Sequence, residues 1–156
     1  MAQAGVSTLG ITLSYGVETV AGQKPSTFTL LNRINSIGGI TIEPETIDAS
    51  ALEDLVERSV AGRGTTGGTF PISFNVTDET IAEMEEMIAD DQALTPGLRM
   101  WYQISSPYLT NAFYVAGQPP LEIPMPDFGQ NELLVAELPI TIDEYAGMSA
   151  KVAPTA

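Results

Sequence analysis

Apolar residues alternating at period two limit the fold of this chain more than any other feature. "TFPISFNV" sets Phe70, Ile72, Phe74 and Val76 on one face and Thr69, Pro71, Ser73 and Asn75 on the other, the pattern of a half-buried strand. "LRMWYQI" alternates Leu98, Met100, Tyr102 and Ile104 with Arg99, Trp101 and Gln103. Near the C-terminus Leu134, Ala136, Leu138, Ile140 and Ile142 keep the same step. Shorter candidate strands are 11–15, 27–34, 38–43, 111–116 and 120–124. The sum is about eight strands, enough for a β-sandwich or small barrel. Pro71, Pro139, Pro124 and Pro126 have no ladder donor, which assigns their segments to edges or bulges. Edges are normally blunted against pairing with other chains. Several long apolar edges in one small chain predict that neighbours pair with them.

One segment has a different period. In "VTDETIAEMEEMIADDQA", Thr77 is placed as an N-cap, and Asp78 and Glu79 fall in a first turn that favours anions. Ile81, Met84 and Ile88 share one face with Met87 beside them, which predicts a helix over 78–91 packed on a sheet. Its acids, Glu83, Glu85, Glu86, Asp90 and Asp91, are expected to face outward, away from any internal surface.

Residues 43–68, "EPETIDASALEDLVERSVAGRGTTGG", read as a long loop with a short apolar set at Leu52, Leu55 and Val56. Loops of this length are uncommon in compact domains and are often functional. Gly62, Gly64 and Gly67 spell G-x-G-x-x-G, but a dinucleotide site needs that motif after a strand and opening a helix. Here the glycines follow "LEDLVERSV" and open a strand, with no Walker lysine behind them. "DFG" at Asp127–Gly129 likewise lacks the companion motifs of a kinase. The glycines read as a turn-forming hinge for the loop.

Composition removes further classes. The 156 residues include no cysteine and no histidine, so disulfides, thiolate zinc sites and Ser-His or Cys-His nucleophiles are excluded. Twenty acids oppose six bases for a formal charge of −14. Lys24, Arg33, Arg58, Arg63, Arg99 and Lys151 are scattered, unlike the clustered cations of a nucleic-acid binder. With so many carboxylates some pairs fall close by chance, and Glu53, Asp54, Glu57 and Asp90, Asp91 do not match a calcium loop. No catalytic, cofactor-binding or metal residue is expected, and no cofactor. "MAQAGVSTLGITLSYG" has no basic-then-apolar leader pattern, and no run of ~18 apolar residues suits a membrane span. A soluble intracellular product is the expectation.

The order of the motifs carries one more inference. "GITLSYG" (Gly10–Gly16) is followed by "INSIGGITIEPETIDAS" (Ile34–Ser50) and by a long loop ending in "GGTFPISFNVTDETIAEM". The aromatic strand "MWYQI" and a closing pair of β segments come next. This order resembles the major tail tube proteins of long, non-contractile-tailed bacteriophages. The long loop departs from that family's commoner tyrosine-glycine-leucine-aspartate pattern. The resemblance implies a β-sandwich flanked by one helix, assembling into hexameric rings that stack into a tube. Inner strands would join into one barrel, the long loop would reach a neighbouring subunit or ring, and an electronegative lumen would pass DNA without binding it. Implied partners are further copies, tail proteins at the tube ends, and a tape measure protein in the lumen. The implied location is the virion tail, after synthesis in the host bacterial cytoplasm.

On this basis the chain is one domain: an N-terminal arm (1–9), an assembly loop (43–68), a helix (78–91) and a C-terminal arm (147–156). Leu52, Leu55, Val56, Arg58 and Arg63 are the expected inter-subunit contacts. Glu43, Glu132 and Glu137, on predicted strands, are the expected lumen acids. The alternatives are a β-sandwich module binding a glycan or protein partner, and the tube protein of a contractile or secretion machine.

Overall fold

The computed structural model describes residues 5, 9–40, 43–51, 53, 55–56, 59–65 and 68–155, the runs 43–48 and 59–65 by their backbone. In chain order the elements are β1 (Thr12–Val17), β2 (Thr29–Leu31), β3 (Ile34–Ile37), β4 (Glu43–Asp48), β5 (Ser59–Thr65), β6 (Thr69–Asn75), α1 (Asp78–Gln92), β7 (Met100–Ser105), β8 (Asn111–Gln118) and β9 (Val135–Ala150). Seven strands form one antiparallel sheet in the order β2-β1-β7-β8-β9-β6-β3, and β4 and β5 pair only with each other. The expectation of a mainly β fold with one flanking helix holds.

The long strand β9 makes this sheet a sandwich. Val135–Thr141 pairs with β6, and Thr141–Ala150 pairs with β8. Irregularities at Tyr114/Val115 and Ala116/Gly117 mark the handover, and bulges of this kind bend and twist a strand. Gly117 is needed there: a Cβ on it would lie 2.5 Å from the Thr141 carbonyl oxygen. The two halves then face each other across a shared core. Leu13, Tyr15, Met100 and Tyr102 come from one half, and Phe70, Ile72, Phe74, Leu138 and Ile140 from the other.

Helix α1 closes part of this core with Met84, Met87 and Ile88. Its start is set as expected by Thr77, whose hydroxyl accepts from Thr80 N at 3.2 Å. Thr80 Oγ1 reciprocates by accepting from Thr77 N at 2.8 Å, completing a capping box with threonine in place of the usual acid or amide. Glu83 accepts from Asn32 N at 3.0 Å, and Tyr15 donates to Asp90 at 3.1 Å, so two helix acids tie the helix to β1 and the β2–β3 turn.

Several expectations are corrected. Pro71 lies inside the sheet, between β3 and β9, opposite Pro139. It is tolerated because its carbonyl accepts from Gly38 N at 2.8 Å, and Gly38 leaves room where a Cβ would strike the proline ring. Pro139 does sit on a border, since β8 reaches only to Thr141. The candidate strand 120–124 is part of an irregular segment, 119–134; Pro119, Pro120, Pro124 and Pro126 deny it a ladder. The candidate 38–43 is not one strand, because β3 ends at Ile37 and β4 begins at Glu43. Residues 43–68 hold a hairpin rather than a structureless loop. The expected C-terminal arm is strand as far as Ala150.

Candidate assembly interface

Two buried polar centres fix the faces of the molecule. Glu18, just past β1, accepts from Trp101 Nε1 at 2.6 Å, Gly22 N at 3.1 Å and Arg99 Nε at 3.0 Å. Arg99 also reaches Glu144 at 2.9 Å. Burial pushes the Glu18 carboxyl up. The hydrogen bonds from Trp101, Gly22 and Arg99, with the Arg99 charge, outweigh it and hold the group below the ordinary carboxylate range. The second centre is Gln103. Its Nε2 donates to Val152 O at 2.8 Å and its Oε1 accepts from Val152 N at 3.0 Å, while the Tyr114 hydroxyl lies 2.6 Å from that same Oε1.

Gln103 thereby holds the C-terminal residues as a strap. Val152 covers a second apolar cluster of Phe28, Trp101, Ala112, Tyr114 and Ala116. Lys24 reaches Ala150 O at 3.1 Å while lying over the Tyr114 ring. Thr155 then pairs with β2: Leu30 N donates to Thr155 O at 2.8 Å, and Thr155 N to Phe28 O at 2.8 Å. The strap caps the β2 border.

In the large sheet the outer side of β3, the β8-facing side of β9 over 135–140 and its β6-facing side beyond Ile142 carry no ladder partner among the described residues, and neither do the outer sides of β4 and β5. Unpaired borders of this kind template the addition of further strands. The face that β9 turns outward here carries Glu137, exposed and opposite Ser73. Glu43 opens β4, opposite Thr65. Glu132 is not on a strand. It lies in the 119–134 segment, exposed, with its carboxylate folded back on Gly129.

The expected contact residues separate by position. Leu55 and Val56 stand at the far turn of the β4–β5 hairpin; Leu55 is fully exposed and Val56 is 75% exposed. Arg63 is on β5, as are Gly62 and Gly64 of the glycine motif. Leu52, Arg58 and Gly67 lie outside the described residues. A second apolar projection escaped the sequence reading. Leu121, Met125, Phe128 and Leu133, each at least two-thirds exposed, are carried by the 119–134 segment. The run of prolines there is the signal that could have found it.

Among the described residues no group of acids is arranged to hold a metal, and no helix is long and apolar enough to cross a membrane. The sequence matches no protein-family model and no curated protein. Solved structures do resemble it. A chain of the anti-feeding prophage baseplate, a cryo-EM structure with six-fold symmetrisation, aligns with TM-score 0.56 at 13% identity over 96% of this chain and 98% of its own. A chain of the tail of an empty GTA particle, obtained by helical refinement with C6 symmetry, aligns with TM-score 0.57 at 13% identity over 94% and 99%. What is shared is the fold. It extends over nearly the whole of each chain.

Proposed function

We propose that this chain is a structural subunit of a phage-type tail, assembling with its own copies into six-fold rings that stack as a tube. The observation that carries the reading is the β9–β6–β3 half of the sandwich, whose two borders carry no ladder partner among the described residues. A heterologous contact repeated about an axis closes such a unit into a ring, and stacking extends it. The six-fold and helical assemblies whose chains share this fold support that geometry. In the tube, Glu137 on the outward face of this half, together with Glu43 and Glu132, is assigned to the lumen. There, acid repels phosphate and lets DNA pass unbound. The chemistry is that of a conduit, with no reaction to catalyse, and the location is the virion tail.

The likeness to a baseplate chain favours one variant, a subunit forming rings at the end of a tail rather than along its length. Negative-stain microscopy of the purified protein tests both. Long hollow tubes with six-fold end views are the expected result, and isolated rings would select the baseplate variant. Solitary particles at millimolar protein in every buffer would overturn the proposal and leave a monomeric binding module.

A further inference from the structure

The two halves of the sandwich treat their borders in opposite ways. Around β9, β6 and β3 the outer backbone groups have no ladder partner among the described residues. On the β2 side they are taken up. The inner side of β2 pairs with β1. Phe28 O and Leu30 N face outward, and Thr155 meets them with its own N–H and carbonyl at 2.8 Å each. Two residues on, Asn32 N is held by the Glu83 carboxylate at 3.0 Å. This border is closed by the chain's own tail and by a helix acid, not by a strand of the sheet.

The tail is anchored in a way that lets it leave. Gln103, 1% exposed, uses both ends of its amide on the Val152 backbone. Each end also has a second partner, Ser14 Oγ at 3.3 Å from Nε2 and the Tyr114 hydroxyl at 2.6 Å from Oε1. Departure of the tail therefore leaves no orphaned buried group on Gln103, the loss that makes a buried polar contact costly to break. Pro154 fixes φ and holds the short segment extended between the Val152 and Thr155 anchors. With the tail gone, β2 would present an outward donor and acceptor, which is what strand addition requires. Every further copy carries the complement in the open borders of its β3 and β9. A β2 border joined to one of those is a contact between two different surfaces, and it propagates from copy to copy.

We infer that the outer border of β2 is a strand-acceptor site for a second copy of this chain, and that residues 151–155 hold it shut in the free subunit. The strap confines association to the other borders and prevents a competing, open-ended mode of pairing. The inference concerns the half of the sandwich that the tail reading does not use, and it stands apart from that reading.

Trp101 reports on the strap. It is the single tryptophan, 6% exposed, in the cluster that Val152 covers. The double variant Val152→Asp, Thr155→Pro sets a carboxylate against that cluster and removes the donor to Phe28 O. Its Trp101 emission should move to longer wavelength. Sedimentation velocity should show it self-associating at a concentration about tenfold or more below that of wild type, although the added acid increases repulsion between copies. Adding Leu30→Pro removes the outward donor of β2 while its inner side stays paired, a place where an edge strand tolerates proline. The triple variant should return to wild-type behaviour, which a misfolded chain would not do. Association that persists in the triple variant would trace to uncovered apolar surface and overturn the inference. So would a double variant that associates no more readily than wild type, and one that associates less readily would show the strap itself reaching a neighbour. Unshifted emission would overturn it too, because the named anchors would not be what holds the strap. Wild type that forms neither rings nor tubes, beside a double variant that associates through β2, would remove the tail reading and leave this inference standing.

Discussion

Glu18 shows how one residue can bind three segments of an acidic chain. The residue is 2% exposed, and its carboxylate joins the end of β1 to the turn at Gly22, to Trp101 of β7 and to Arg99 just before it. Because its folded pKa lies below the unfolded value, the stabilisation is complete above that unfolded value, about 4.3. It is lost as pH falls through the folded one. Glu18→Gln leaves Arg99 its bond to Glu144, so the cost at pH 7 should be ~3 kcal/mol, the low end for breaking a buried pair. Denaturant unfolding at a series of pH values should show the variant and wild type converging toward pH 3. A loss of equal size at pH 7 and pH 3 would show that the charge of Glu18 is irrelevant and only its shape counts.

At the scale of elements, what the sequence revealed followed the periodicity each element needed. Helix α1 was legible because Thr77 caps it and Met84 and Ile88 fall one turn apart. Strand β6 and the first half of β9 were legible because only one of their faces is buried. Strand β7 was legible as a strand but not in its burial, since Trp101 and Gln103 on its second face are covered by the strap, a contact with residues about fifty positions away. The β4–β5 hairpin was hidden because "EPETID" and "SVAGRGT" carry no alternating apolar face. Leu55 and Val56 stood out as an apolar island among acids. The β9 handover was equally invisible, resting on Gly117 where the backbones crowd. Gly117→Ala forces a methyl against Thr141 O and should destabilise the fold by ~2 kcal/mol, in the range of core overpacking. A thermal melt unchanged from wild type would mean that β8 and β9 can separate there freely.

For the molecule as a whole, the distribution of its few cations decides how copies meet. Of six bases, Lys24, Arg99 and Lys151 are already engaged inside the subunit, by Ser149 and Ala150, by Glu18 and Glu144, and by Ser106. The remaining three, Arg33, Arg58 and Arg63, would be too few to offset twenty carboxylates per copy even if every one of them met a neighbour's acid. Association must then come from strand pairing and apolar contact, with charge opposing it. Salt screens that opposition: the Debye length shrinks from about 10 Å at 0.1 M to about 3 Å at 1 M, while apolar burial is not weakened. Assembly followed by light scattering should therefore speed up as sodium chloride rises from 0.05 to 0.5 M, with a lower critical concentration at the upper end. If salt slowed it instead, ion pairs would be the driving contacts. Arg58→Gln and Arg63→Gln would then abolish the dependence.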